Sequence, residues 1–267
     1  MSVLFSGDFH NGVRGELRII TKESLLSVYE QELYESINYH IILGDAGFLW
    51  PNQEGLDEEN FKVLSERKFP ILCVMGNHEP VYGRKDLPEE DIGIGEKVIV
   101  VNKNNPFVAF LKRGKIYTID GYKILVLGGA LSTDKYRRVE GVSWWKEEYW
   151  SNTEKRKLFK LLEKEDNFDF VISHTGPYDI NWVLDSMGVP NRHGKDADEV
   201  AMLNEQIDSK IKHRGWFCGH WHYDFINEDF NRDENSLKKK YFYLYKLTAL
   251  VNGNKLIIRK SWGEQEI

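Results

Sequence analysis

The chain has 267 residues, of which 41% are hydrophobic, 13% aromatic and 29% charged, with a formal net charge of −6. This composition excludes a disordered chain, because it supplies enough apolar surface for a sizeable core. The acidic balance disfavours long nucleic acid as a partner, since phosphate backbones are bound by basic surfaces. It does not exclude a small phosphorylated substrate, because bound metal cations can dominate a local field.

Short apolar runs alternate with amphipathic stretches along the chain. Five short, mainly apolar runs are each followed within four residues by a glycine, at residues 3–5, 41–43, 71–75, 168–172 and 216–218. Such runs are typical of strands that are buried on both faces. Helical patterns lie over residues 22–37, 57–67, 151–165 and 196–213, with Ser151 as N-cap and Glu154 at N3 of the third.

Further strands are predicted in the middle and at the end of the chain. They cover residues 97–101, 107–111, 115–120 and 122–127, followed by a hairpin of residues 241–250 with 255–260. The pattern predicts an α/β fold with two packed sheets and helices outside, forming one domain over residues 1–267.

The compartment is predicted from two absences. No apolar stretch approaches the roughly 20 residues of a membrane helix, and the start of the chain does not resemble a signal peptide. The only cysteines, Cys73 and Cys218, lie in apolar runs and form no Cys-x-x-Cys pair. We therefore expect free buried thiols and a cytoplasmic protein without a membrane partner.

Polar side chains follow all five of the apolar runs described above. They are Gly7-Asp8-Phe9-His10, Gly44-Asp45, Gly76-Asn77-His78-Glu79, His174 and Gly219-His220-Trp221-His222, and they contain five of the eight histidines. Sites in open α/β sheets form beyond the carboxyl ends of strands. Imidazole nitrogens and carboxylate oxygens suit divalent transition metals, and ions about 3.5–4 Å apart can activate water and hold phosphate oxygens.

These motifs, in this order from residue 7 to residue 222, resemble the calcineurin-like metallophosphoesterase superfamily. The resemblance implies two mixed β-sheets packed as a sandwich and flanked by helices. It also implies two divalent ions, Mn or an Fe/Mn pair, with Zn or Ni as alternatives. One ion would bind Asp8, His10, Asp45 and His222, and the other Asp45, Asn77, His174 and His220, with Asp45 bridging. His78 would be a catalytic residue that binds no metal, while a metal-activated hydroxide attacks phosphorus.

Two departures from the superfamily pattern bear on which branch the chain resembles and on what orients His78. Its protein serine/threonine phosphatases carry Asp-Arg-Gly after the second motif and Arg before the Asn-His pair. Here Ala46-Gly47-Phe48 follows Asp45, and Met75-Gly76 precedes Asn77, which disfavours that branch. Many relatives have an acid at the position of Phe48 that orients the catalytic histidine. Glu79 or a backbone carbonyl could therefore orient His78.

A segment in the middle of the chain supplies candidate substrate contacts. Residues 125–130 form an apolar run that opens onto Lys135, Arg137 and Arg138, and the segment resembles a poorly characterised bacterial and phage branch of the superfamily. Arg137 and Arg138 could bind a substrate phosphate or form a solvated surface pair. Arg14, just after the first motif, is a third candidate.

Three functions remain open at this point. The first is hydrolysis of a phosphomonoester or phosphodiester. The second is a nuclease or nucleotide phosphodiesterase, which a basic, aromatic-lined groove near the metals would favour. The third is a non-catalytic metal-binding scaffold, although such relatives usually lack ligands or the catalytic histidine. The motifs specify neither the substrate, the metal nor the oligomeric state.

Overall fold

The computed structural model describes residues 1–10, 21–49, 66–102, 105–189, 198–230 and 239–260. Most of the helix predicted over residues 57–67 lies outside this described part. The strands in it are β1 Ser2–Ser6, β2 Tyr39–Ile42, β3 Ile71–Cys73, β4 Glu89–Glu90, β5 Val98–Asn102, β6 Asn105–Phe110, β7 Lys115–Ile119, β8 Tyr122–Val126, β9 Asn167–Ile172, β10 Lys212–Cys218, β11 Phe225–Phe230, β12 Lys239–Tyr243, β13 Leu247–Asn252 and β14 Lys255–Lys260.

The helices of the described residues are short. The α-helices are α1 Lys22–Leu26, α2 Gln31–Ser36, α3 Asn152–Leu162, α4 Tyr178–Ser186 and α5 Glu199–Asp208, and single 3₁₀ turns cover Pro80–Gly83, Lys135–Arg137 and Lys146–Glu148. None of the helices in the described part of the chain has the length and apolar character needed to cross a bilayer.

The strands form two mixed sheets, as predicted. The first has the order β14-β13-β1-β2-β3-β6-β5-β4, and the second β11-β12-β10-β9-β8-β7. Strands β1, β2, β3 and β6 run parallel in the first sheet, and β8, β9, β10 and β12 in the second. The carboxyl ends of the two parallel sets hold the motifs that follow the apolar runs.

Apolar side chains from both sheets fill the space between them. Val3 and Phe5 of β1 face this core, and the Phe5 ring stacks on Phe217 of β10 with centroids 4.3 Å apart. Leu4, between them, packs on the other side with Leu25 of α1. Alternate residues of one strand are thus buried in different layers, which explains the continuous apolar runs. The α/β sandwich with outer helices is therefore confirmed.

Two of the helix predictions were too long. The stretch 22–37 is broken into α1 and α2, because the chain turns at 27–30 and buries Tyr29, whose hydroxyl lies 2.6 Å from Thr248 Oγ1. The helix predicted over 196–213 is shorter in the described residues, where Asp198 caps α5 and β10 begins at Lys212 to pair with β9. The capping box of Ser151 and Glu154 is confirmed.

The predicted strand 241–250 is also wrong, because it is two strands in different sheets. β12 belongs to the second sheet, and β13, which does pair with β14, belongs to the first. Asp224 Oδ1 accepts the backbone N–H groups of Tyr245, Lys246 and Leu247 at 2.7, 3.0 and 2.9 Å. These bonds satisfy the backbone where the chain crosses between sheets. Cys73 and Cys218 are free and buried, as expected.

Candidate metal centre

Five strand ends bring the predicted ligands to one edge of the sandwich. Asp8 and His10 follow β1, Asp45 follows β2, Asn77 and His78 follow β3, His174 follows β9, and His220 and His222 follow β10. The first three of these strands lie side by side and parallel, as do the last two. Residues far apart in sequence therefore meet where both sheets end.

The backbone at these positions is unusual. Six non-glycine residues in the described part of the chain have positive φ, and five are predicted ligands, namely Asp8, His10, Asp45, His220 and His222. The left-handed region costs a non-glycine residue roughly 1 kcal/mol or more, and such strain concentrates at functional sites. This clustering independently marks the edge as a candidate site.

Two of the motif glycines leave room for ligands of other strands. A Cβ on Gly44, whose φ is +93°, would lie 2.2 Å from His174 Nδ1. A Cβ on Gly76 would lie 2.1 Å from Asp45 Oδ1. The absence of a side chain at these glycines therefore lets one ligand-bearing strand end pack closely against the next.

The first group of side chains lies around Asp8. His10 Nε2 and His222 Nε2 are 2.7 Å apart, and they lie 3.9 and 3.7 Å from Asp8 Oδ1. The His222 ring stacks on Tyr245 with centroids 4.9 Å apart, which fixes its plane. These three residues could together hold a metal ion. They are three of the four ligands predicted for the first ion, and His10 Nδ1 lies 3.8 Å from Asp45 Oδ2, the fourth.

The second group lies around His174, which is fully buried. Its Nδ1 lies 2.7 Å from the Leu43 carbonyl oxygen, which can only accept a hydrogen bond. Its Nε2 faces Asn77 Oδ1 at 2.9 Å and Asp45 Oδ2 at 3.3 Å. Asp8, Asp45 and His174 form a second possible metal-binding group, so Asp8 lies beside both.

The electrostatics of this group favour a cation. Burial alone would lower the pKa of His174, but Asp45 and Asp8 raise it to about 9. Burial would raise the pKa of Asp45, yet the neighbouring His174, His78 and His10 lower it well below its usual value. A proton on His174 thus compensates the buried carboxylates in the chain without metal, and a divalent ion could replace it.

His220 completes the second predicted ligand set from the end of β10. Its backbone N–H donates to Asp8 Oδ2 at 2.8 Å, and its ring centroid lies 5.0 Å from that of His174. Burial lowers the pKa of its imidazole well below the usual value. A neutral imidazole is the form that binds metal.

His78 lies at the rim of these groups and is held differently from the sequence-based expectation. Its N–H donates to Asp45 Oδ1 at 2.9 Å, and its Nε2 lies 3.1 Å from Asn77 Nδ2 and 3.4 Å from Arg138 Nη2. Within the described residues, its buried Nδ1 has no hydrogen-bond partner. Glu79 does not contact the imidazole and instead accepts the Ala46 N–H at 2.7 Å.

A model of the family described as calcineurin-like phosphoesterase matches residues 1–224. The chain belongs to this family. Members usually bind divalent metals and hydrolyse phosphoesters, which agrees with the donor atoms gathered here. No curated protein matches the chain. One solved structure is similar over 98% of this chain and 99% of its own, with a TM-score of 0.51 and 13% identity, and it shows the fold alone.

The three arginines predicted to contact substrate differ in position. Arg138 reaches His78, and Asp134 holds its guanidinium at 2.7 Å. Arg137 is exposed, and Arg14 lies outside the described residues. Of the two described arginines, Arg138 is therefore the one that lies beside His78 in this calcineurin-like site. Like Arg137, it is not among the residues that line the cavity at the strand ends.

The cavity at the strand ends has a volume of about 150 Å³. It is lined by His10, Asp45, Asn77, His78, Leu131, Thr133, Asp134, His220 and His222. The segment after β8, which follows the apolar run of residues 125–130, therefore forms one wall of this cavity. The sequence motifs did not identify Ser132 or Glu148 as site residues. In the structure, Ser132 Oγ lies 2.9 Å from Asn77 Nδ2.

Phe48 occupies the position where many relatives carry an orienting acid. It is buried in an apolar cluster with Phe9 and Ala46. The polar groups within reach of His78 Nε2 come instead from Asn77 and Arg138. Two other described histidines, His40 and His213, lie in separate buried contacts with Ser6 and Asp208.

Proposed function

We propose that this chain is a two-metal phosphoesterase that hydrolyses a small phosphomonoester or phosphodiester. Family membership supports a metal-dependent phosphoester hydrolase. We assign Asp8, His10, Asp45 and His222 to one ion and Asp45, Asn77, His174 and His220 to the other. Mn²⁺ or an Fe/Mn pair would suit these nitrogen and oxygen donors, and we propose the cytoplasm as the compartment.

The surroundings of His174 Nε2 carry the proposal. The Leu43 carbonyl takes the hydrogen of Nδ1, so a neutral imidazole points a lone pair at the other contacts. Those contacts are Asn77 Oδ1 at 2.9 Å and Asp45 Oδ2 at 3.3 Å, which are also acceptors. Three buried acceptors that face each other require a cation among them. A proton on His174 would supply this charge in the metal-free chain, and a bound divalent ion would supply it in its place.

Two bound ions would lower the pKa of a water molecule and neutralise charge on the phosphate oxygens. The side chains around them have separate tasks. We propose that His78 donates a proton to the leaving-group oxygen, and that Arg138 binds a phosphate oxygen. Burial lowers the pKa of His78, with Arg138 acting in the same direction, but the charge of a bound phosphate would raise it.

The dimensions of the cavity support a small reacting group. Its volume is about 150 Å³. A phosphoryl group fits such a space, and the rest of the substrate would lie outside it. Arg138 is already paired with Asp134, which partly compensates its positive charge.

A panel of phosphoesters tests the proposal. The chain is stripped of metal and reloaded separately with Mn²⁺, Ni²⁺, Zn²⁺ or Mg²⁺. Hydrolysis of p-nitrophenyl phosphate, its bis ester, a cyclic nucleotide and single-stranded DNA is then measured. We expect metal-dependent release of p-nitrophenol from at least one ester and none from the stripped chain. Hydrolysis that is equal with and without metal would contradict the proposal.

A further inference from the structure

A buried chain of hydrogen bonds links the second group of ligands to the loop after β8. Glu148 Oε2 accepts the Ser132 hydroxyl at 2.5 Å, and Ser132 Oγ accepts Asn77 Nδ2 at 2.9 Å. Asn77 Oδ1 then faces His174 Nε2 at 2.9 Å. All four residues are 0–2% exposed, so solvent does not replace these partners.

When Glu148 is ionised, each hydrogen bond between Glu148 and Asn77 in this series can have only one donor, and the donors all lie on the Asn77 side of their acceptors. Its Oε1 accepts the Ser132 backbone N–H at 3.2 Å, and its Oε2 uses the only hydrogen of the Ser132 hydroxyl. Ser132 Oγ therefore presents lone pairs to Asn77, and only the NH₂ end of the amide can donate to them. The carbonyl end must then point toward His174.

This direction matters because the two ends of an asparagine amide have nearly the same shape but opposite polarity. The carbonyl oxygen binds a cation, whereas the NH₂ group repels one. A flipped Asn77 would place hydrogen atoms where the second ion binds. Any group that fixes the amide thus raises the affinity for that ion, as partners of metal ligands generally do.

Glu148 is itself fixed in position. The Arg113 guanidinium donates to its backbone carbonyl at 3.3 Å, and that carbonyl lies 2.0 Å from where a Cβ on Gly129 would be. The Glu148 N–H donates to the Trp145 carbonyl oxygen at 3.0 Å. The carboxylate therefore reaches Ser132 from a rigid turn rather than from a freely rotating side chain.

We propose that Ser132 and Glu148 are positioning residues that hold the Asn77 amide with Oδ1 toward the second metal ion. The inference rests on the proposed two-metal site, and it adds two residues that the motifs did not identify. It assigns the loop after β8 a role in metal affinity, in addition to lining the cavity.

The test measures Mn²⁺ binding to the full chain by calorimetry, without substrate. Ser132→Ala removes the hydroxyl oxygen that accepts the hydrogen bond from Asn77 Nδ2. Glu148→Gln keeps the shape of the side chain, but its NH₂ group would donate to Ser132 and reverse the hydroxyl. Tyr241→Phe is the matched control, because it also removes a buried hydroxyl that donates to a buried carboxylate, Asp208 Oδ2 at 2.8 Å.

We expect one of the two dissociation constants to rise about tenfold or more in Ser132→Ala and in Glu148→Gln. The double variant should bind no more weakly than Ser132→Ala, because Glu148 acts through Ser132. Tyr241→Phe should bind both ions as the wild type does. If Ser132→Ala does not fold, the isosteric Glu148→Gln provides the same test.

Wild-type affinity for both ions in either folded variant would overturn the inference while leaving the two-metal site intact. An equal loss in Tyr241→Phe would also overturn it, since the effect would then reflect general destabilisation. A wild-type chain that binds fewer than two ions would overturn the proposed function together with the inference.

Discussion

His10 and His222 face each other through Nε2 atoms that are 2.7 Å apart. Two neutral imidazoles can share this distance only if one of these nitrogens carries a hydrogen. If an ion bound between them and Asp8, as we propose, both nitrogens would direct lone pairs to it. The same pair would thus form a hydrogen bond in the metal-free chain and part of a ligand set in the metal-bound one.

Replacing His222 tests whether the two ligand sets bind their ions independently. We expect His222→Ala to lower the bound Mn²⁺ from two ions per chain to about one, because His174 and Asn77 retain the other ion. Metal content after dialysis checks this. The Tyr223→Phe variant, altered at the next and exposed position, is the control. Retention of both ions by His222→Ala would exclude this histidine as a ligand.

His78 is predicted to act in catalysis without binding metal. His78→Asn should keep both ions and lose most turnover of p-nitrophenyl esters, about 10²-fold or more. The loss should be larger for an alkyl phosphoester, because its poor leaving group depends more on a proton donor. Steady-state rates and metal content, measured on the same preparation, test both statements. Undiminished turnover, or loss of metal, would contradict the assigned role.

Arg138 and Arg137 provide a matched pair of substitutions. Arg138 lies against His78, whereas its neighbour Arg137 is exposed. We expect Arg138→Ala to lower kcat/KM about tenfold or more, since a charge-assisted contact to phosphate contributes about 1.5–3 kcal/mol. Arg137→Ala should stay within about twofold of the wild type. Equal effects of the two variants would argue against phosphate binding by Arg138.

A buried carboxylate remote from the metal site predicts how stability depends on pH. Asp208 is contacted by His213, Lys239 and Tyr241 at 2.8–2.9 Å. Burial opposes ionisation, but these partners lower the pKa of Asp208 from 3.8 to about 2. The lowered pKa corresponds to about 2 kcal/mol of stability, fully present above a pH of about 4 and lost as the pH falls toward about 2.

Urea unfolding of wild type and Asp208→Asn, both without metal, isolates this contribution. The difference in free energy of unfolding should shrink as the pH falls from about 4 toward about 2, where Asp208 becomes protonated. Taking the difference cancels the acids that the two proteins share. A difference that stays constant down to about pH 2.5 would show that ionised Asp208 does not stabilise the fold.

Much of the site could be predicted because its ligands are next to strand ends in the sequence. The run before Asp45 and the run before His174 are both short and apolar, and each places its polar residue at the same edge. The buried strands and the two-sheet fold follow from the same local pattern. These features need only the order of the residues and the geometry of parallel strands.

The remaining features depend on contacts between distant positions. Ser132 meets Asn77 across 55 positions, and Asp224 fixes the crossing between β12 and β13 from more than 20 positions away. No local pattern indicates such pairs. The break between α1 and α2 is similar, because Tyr29 turns inward to Thr248 in a distant strand. Periodicity alone therefore predicted one helix where tertiary contacts require two.

The dependence of activity on metal content tests the two-metal account most directly. The stripped chain, at a concentration well above its metal dissociation constants, is titrated with Mn²⁺ while hydrolysis of bis(p-nitrophenyl) phosphate and of p-nitrophenyl phosphate is followed. We predict little activity up to one equivalent and a plateau at two equivalents, with at least one of the esters. Full activity at one equivalent, or no hydrolysis of either ester at two, would contradict the account.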